Sequence, residues 1–161
     1  NYTYVPATDN GVKNFSVTLK TAGNKSVTAT DTVTASITGS ATATVNPASI
    51  SSCTVAGITS PIVKNTAASV TVTAKDAFGN TVTSYLNTIT FTSSDTAISP
   101  GSGLPSNYTY TTGDLGVHTF ASGVTFATAG TQSVTASEVG NTSITGSQTG
   151  IIVCASASPC P

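Results

Sequence analysis

Any chemistry in this chain has to be built from one histidine, six carboxylates, five lysines and three cysteines. His118 stands alone, so a Ser-His-Asp hydrolase or a histidine-bearing zinc site has almost no material to use. Its counterpart in the internal repeat set out below is Lys13, which points to an exposed strand position that accepts either residue. Asp9, Asp76, Asp95 and Asp114 each sit beside turn signals. Calcium takes roughly six to eight oxygen ligands, and no Asp-x-Asp spacing is present to supply them. These aspartates are expected to form turns. An isopeptide bond from Lys75 would need a buried lysine, a buried asparagine and a neighbouring acid, but strand alternation places Lys75 on an outer face. No catalytic residue, cofactor site or metal site is expected, and the chain is not expected to be an enzyme.

Other residues could make contacts or covalent links. Tyr2 and Tyr4, and again Tyr108 and Tyr110, form Tyr-x-Tyr pairs whose members share a strand face. They suit a contact strip, either packing at a sheet edge or between subunits, or an aromatic platform for sugar. Asn1, Asn14, Asn24, Asn107 and Asn141 begin Asn-x-Ser/Thr triplets and are possible glycosylation positions. In a Ser/Thr-rich chain such triplets also arise by chance. The disulfide candidates are Cys53, Cys154 and Cys160. Cys53 opens the first strand of a repeat and Cys154 closes the last, which places them at opposite poles. A disulfide needs Cα atoms within about 7 Å, so those two are not expected to pair within one domain. Cys154 and Cys160 could close a local loop. The odd count favours a bond between chains, from Cys53 to Cys154 or Cys160 of the next copy.

The elements that position these residues come in repeated form. Asn107-Tyr-Thr-Tyr110 repeats Asn1-Tyr-Thr-Tyr4, and Asp114-Leu-Gly-Val-His-Thr-Phe120 repeats Asp9-Asn-Gly-Val-Lys-Asn-Phe15. Thr128-Ala-Gly-Thr-Gln-Ser-Val-Thr-Ala136 repeats Thr21-Ala-Gly-Asn-Lys-Ser-Val-Thr-Ala29, and Ser143-Ile-Thr-Gly-Ser147 repeats Ser36-Ile-Thr-Gly-Ser40. Ala155-Ser156 and Cys160 fall where Ala48-Ser49 and Cys53 stand. The spacing from Ile37 to Ile144 sets a period of about 107 residues, the size of one small β-domain. The chain spans about one and a half periods and starts in mid-unit.

Alternation and turn residues predict strands at 2–5, 12–20, 26–30 and 36–45, the last with a kink or bulge at Gly39. Residues 48–52 read as a linker. A second unit follows with strands at 53–58, 68–76, 88–93, 107–112, 117–126, 131–138 and 143–153. Pro61 breaks the first of these. In the strand at 68–76, Val70, Val72 and Ala74 face inward. Asp76-Ala-Phe-Gly-Asn80 is a turn. Seven short strands in about 100 residues, with no helical period, predict an all-β, immunoglobulin-like antiparallel β-sandwich. With strands lettered A to G, residues 1–47 hold only D to G. They form a partial unit whose open edges are available for pairing. Residues 53–154 form the complete domain, and 155–161 form a tail or the start of another repeat.

Composition narrows the class. Charged residues are 7% of the chain against roughly 25% in ordinary soluble domains, and the net charge is −1. Five lysines and no arginine cannot neutralise many phosphates, so nucleic acid is not an expected partner. No apolar run approaches the roughly 20 residues that span a bilayer. Threonine, serine and alanine carry the bulk, and a threonine hydroxyl wets an outer strand face without charge. This pattern suits a secreted surface protein of a bacterium or archaeon. If the protein is exported, its signal lies outside the sequence or has been removed.

Asp76-Ala-Phe-Gly-Asn80, then Thr81-Val82 and Ile89-Thr90-Phe91-Thr-Ser-Ser94, resembles the bacterial Ig-like repeats of invasin- and intimin-type surface proteins. Those repeats carry a lysine–aspartate–x–x–glycine–asparagine turn between strands B and C. Gly130-Thr-Gln-Ser-Val134 and Ile144-Thr-Gly-Ser147 resemble the last strands of filamin-type repeats. The resemblance implies rods, stalks, adhesive arms or filament walls, and carries no catalytic site. The expected function is a structural subunit of an extracellular filament, pilus-like fibre or surface rod. It would assemble head-to-tail by strand complementation of the half unit, with copies of itself or neighbouring repeats as partners. The alternative is an adhesin stalk or a glycan- or protein-binding Ig-like module of a larger cell-surface protein.

Overall fold

The computed structural model describes residues 1–158 and 160. The chain divides into two compact units, Asn1–Val45 and Asn46–Pro161. The first contains a single helical turn, α1 (Pro6–Asp9), and an antiparallel hairpin of β1 (Gly23–Thr30) and β2 (Thr38–Val45). Gly39 pairs with Ala29 in an unbroken register, so the expected bulge is absent.

The second unit carries β3 (Ile50–Ala56), β4 (Ile62–Val63), β5 (Ala67–Asp76), β6 (Thr88–Ser93), β7 (Ser99–Pro100), β8 (Gly103–Leu104), β9 (Tyr108–Thr109), β10 (Val117–Thr125), β11 (Gly130–Glu138) and β12 (Asn141–Cys154). Three strands make one sheet in the order β10-β5-β3, and five make another in the order β4-β12-β11-β6-β9. Between Ala56 and Ile62 the chain leaves the first sheet and joins the second, where β4 pairs in parallel with β12. The side-chain amide of Gln148 pins that crossing. It donates to the Ile58 carbonyl at 2.6 Å and accepts from the Ile58 N–H at 3.1 Å.

Alternation explains the core. In β5, Val70, Val72 and Ala74 are fully buried while Thr71, Thr73 and Lys75 lie half-buried on the other side. Ile89, Phe91, Val134 and Ile151 come from the facing sheet and are equally dry. Burying each such side chain stabilises by about 1.5–3 kcal/mol. Asp76 closes the turn after β5. Its carboxylate accepts hydrogen bonds from the N–H groups of Phe78, Asn80 and Ala48 and from the Asn80 side chain, all at 2.8–2.9 Å. Gly79 supplies the positive φ, 81°, that the turn requires.

Three expectations about elements are corrected. Residues 48–52 are not a free linker, because Ile50 and Ser52 already pair with Asp76 and Lys75 as the start of β3. Residues 2–5 and 12–20 are not strands. The second unit shows why. Their repeat counterparts are β9, which is bonded to β6, and β10, which is bonded to β5. The first unit holds no counterpart of β5 or β6, the strands against which β10 and β9 form. β1 and β2 do form, because they are the counterparts of β11 and β12 and need only each other.

Candidate functional site

Carboxylates organise the repeated half at the atomic level. Asp114 accepts the Thr111 N–H at 2.6 Å, the Tyr108 hydroxyl at 3.1 Å and a contact from His118 Nδ1 at 2.7 Å. Burial pushes its pKa upward. The Thr111 N–H, His118, the Thr111 hydroxyl and Tyr108 together outweigh burial and hold the carboxyl well below its usual range. Asp9 repeats the arrangement. It accepts the Val5 N–H and the Tyr2 hydroxyl at 2.7 Å each and pairs with Lys13 at 3.3 Å. The Val5 N–H and Tyr2 lower its pKa. At the position shared by His118 and Lys13, Lys13 is exposed and His118 half-buried, and each is held against a tyrosine. His118 stacks on Tyr108 at 3.8 Å, and the Lys13 ammonium lies 4.8 Å from the Tyr2 ring centre.

The hairpins match just as closely. Thr28, Ala29 and Thr30 pair with Ser40, Gly39 and Thr38, and Thr135, Ala136 and Ser137 pair with Ser147, Gly146 and Thr145. Thr38 donates to the Ala29 carbonyl and Thr145 to the Ala136 carbonyl, both at 3.0 Å.

What differs is cover. Tyr4 is 52% exposed and Tyr110 2%; Val27 is 40% and Val134 0%; Ile37 is 63% and Ile144 8%. In the second unit these positions lie under β3, β5, β6 and Tyr85. The Tyr110 hydroxyl donates to the Val72 carbonyl of β5 at 2.9 Å, and its ring meets Tyr85 at 4.9 Å. Tyr110 is thus a core residue, which fits packing rather than an aromatic platform for sugar at that position. Tyr108 is half-buried against His118 and Phe120, whereas Tyr2 and Tyr4 remain exposed.

Two glycines measure the same difference. A Cβ on Gly146 would fall on the backbone carbonyl of Cys53 in β3, so the two sheets touch there through backbone. A Cβ on Gly39, the counterpart, would meet nothing within 4 Å. Around Gly39 lies an open cavity of 480 Å³ lined by Tyr2, Tyr4, Asp31 and Ile37 among others. Of its walls, Tyr4 is the counterpart of Tyr110, which meets Tyr85, and Gly39 of Gly146, which meets Cys53. The repeated Ile-Thr-Gly-Ser motif carried this signal in sequence, where Gly39 reads only as a kink.

The cysteines correct another expectation. Cys154 and Cys160 are bonded to each other, with Cα atoms 5.5 Å apart, and Cys53 is a free, buried thiol. Burial, then the charge of Glu138, pushes the Cys53 pKa up to about 11, so the thiol is protonated and inert. It is not available for the expected bond between chains. Beside it burial, then the neighbouring Glu138 carboxylate, pushes the Tyr85 hydroxyl pKa upward. The remaining sequence candidates are dispersed. Asn1, Asn14, Asn24, Asn107 and Asn141 are all exposed, and the last two stand in the second unit. The tail expected at 155–161 lies partly outside the described residues.

Among the described residues, no group of three or more His, Cys, Asp or Glu side chains comes together, and no helix is long and apolar enough to cross a membrane. Comparison with protein-family models, with curated proteins and with solved structures finds no match.

Proposed function

We propose that the protein is a structural subunit of an extracellular filament or surface rod built from Ig-like β-sandwich repeats, joined head-to-tail by strand complementation. One observation carries this reading: residues 1–45 present, exposed, the apolar face that their repeat counterparts bury. An uncovered face with unpaired edges is a receiving surface for strands. Strands donated in one direction make a heterologous contact, which propagates as an open fibre. The low charge, the Thr/Ser-rich surface and the Cys154–Cys160 disulfide suit an oxidising space outside the cell. The alternative reading, a module that binds glycan or a host protein, draws on the open cavity beside Tyr2 and Tyr4.

The test extends the C-terminal tail with residues 54–106. Ala155, Ser156 and Cys160 already match Ala48, Ser49 and Cys53, so the extension completes a set of donor strands at one end of every copy. Electron microscopy is expected to show long, uniform filaments. Dispersed particles would contradict the filament reading and favour the binding module.

A further inference from the structure

One short segment occurs twice in the chain, once in a strand and once in a loop closed by a disulfide. Ala155, Ser156, Ser158 and Cys160 match Ala48, Ser49, Ser51 and Cys53. In the first copy, Ile50–Ala56 forms β3, pairs with β5 and brings the Cys53 carbonyl against Gly146. In the second, residues 155–158 are exposed and lie in no strand. Cys154 stands where the first copy has Pro47, so only the second copy has a cysteine at that position to bond the one at its end.

Geometry makes the two forms exclusive. The bond holds the Cα atoms of Cys154 and Cys160 5.5 Å apart, and a disulfide does not span more than about 7 Å. Extended as a strand, the same separation of 6 residues would place those atoms about 20 Å apart. The Cys154 end is fixed. It is buried, it pairs with Val63 of β4, and its carbonyl accepts the Lys64 N–H at 2.9 Å. The tail is the half that moves when the bond opens.

We propose that the Cys154–Cys160 disulfide is a redox latch on assembly. Closed, it keeps the tail after Cys154 from extending. Opened, it frees the tail to lie, as β3 does, across the β1–β2 hairpin of a second copy with its backbone over Gly39. The proposal rests on the strand-complementation reading and adds its control. Gly39 is the counterpart of Gly146, and a Cβ there would meet nothing within 4 Å. The 480 Å³ cavity beside it gives the tail room. Ala155, Ser156, Ala157, Ser158 and Cys160 are all small, which suits a close approach of backbone to a glycine. Pro159 replaces Ser52, which an edge strand accepts. Opening the latch takes a dithiol reductant. The dithiol passes two electrons and two protons to the S–S bond, Cys154 and Cys160 become thiols, and the dithiol leaves as a disulfide. Cys53, a buried free thiol, takes no part.

The experiment follows the mass of the full chain by sedimentation over a range of concentrations, with the bond intact and after treatment with dithiothreitol. The oxidised chain is expected to remain a single chain, and the reduced chain to become a dimer or larger as concentration rises. Cys154→Ser with Cys160→Ser, which opens the latch and leaves no thiol in the tail, is expected to associate without reductant. Gly39→Val is expected to leave the circular dichroism unchanged and to abolish association of the reduced chain. Equal association of oxidised and reduced chains would overturn the proposal, as would a double-serine variant that stays dispersed or association that survives Gly39→Val. The chain extended with residues 54–106 separates this failure from failure of strand complementation. Filaments that form equally well with the bond intact would overturn the latch and leave complementation standing, whereas dispersed extended chains in reductant would overturn both.

Discussion

Two alanines at one repeat position should have opposite effects. In Gly146→Ala the new methyl would fall on the Cys53 carbonyl, which is backbone held by β3–β5 pairing and cannot swing aside. Relief requires the sheets to move apart over a core that includes Val72, Ile89 and Phe91. Overpacking of this kind costs about 1–3 kcal/mol. For a domain of this size each kcal/mol shifts the midpoint by about 4–8 °C, so a fall of roughly 5–20 °C is expected. In Gly39→Ala the methyl meets nothing within 4 Å, and φ is not in the left-handed region. Replacing a strand-interior glycine then gains about 0.5 kcal/mol through lost chain freedom. Differential scanning calorimetry of the two variants against the parent reads both effects. Equal falls in the two variants would refute the reasoning, because they would mean that Gly39 is also covered. No change in Gly146→Ala would mean that the sheets do not meet at Cys53.

Other outcomes follow from single residues. Asp76 should make the second unit acid-sensitive. Burial alone would raise its pKa, but bonds from the Asn80 side chain and the Ala48, Asn80 and Phe78 N–H groups lower it to about 2. The folded value lies below the ordinary one of about 3.9, so this contribution is complete above about pH 4 and is lost as pH falls towards 2. Melting curves between pH 2 and 5 should show that loss, and Asp76→Asn should flatten it. Tyr110→Phe removes a buried hydrogen bond to the Val72 carbonyl and should cost about 1 kcal/mol in urea titration, with no loss of β-sheet signal. Cys53 should resist alkylation in the folded protein without reductant and react promptly in denaturant. Rapid labelling under native conditions would contradict its burial.

Sequence periodicity located the long strands of the second unit, though not the two-residue strands β4, β7 and β8, for a physical reason. In β5 the burial of Val70, Val72 and Ala74 is written as alternation, and Asp76-Ala-Phe-Gly-Asn80 announces the turn through its carboxylate and glycine. The same alternation at residues 12–20 predicted a strand that is absent, because alternation encodes a face and not a partner. Residues 48–52 lacked strand-rich composition yet begin β3, where their ladder to Asp76 and Lys75 decides the matter. The Tyr2-Asp9-Lys13 and Tyr108-Asp114-His118 groups escaped detection for a related reason. Lys13 and His118 occupying one repeat position suggested indifference, whereas Lys13 is held on Tyr2 and Asp9 and His118 on their counterparts Tyr108 and Asp114. The bond between Cys154 and Cys160 was legible only as one of several pairings, since spacing does not say which thiol the core encloses.

The most direct test compares amide hydrogen exchange at repeat-equivalent positions in the dispersed, unmodified protein. Residues 117–125, bonded to β5, should exchange slowly, while residues 12–19, built on the same pattern but in no strand, should exchange at nearly the rate of unstructured chain. That asymmetry is what the proposed strand complementation of residues 1–45 requires. Equal protection of the two segments would contradict the account, because it would show that residues 1–45 already complete their own fold.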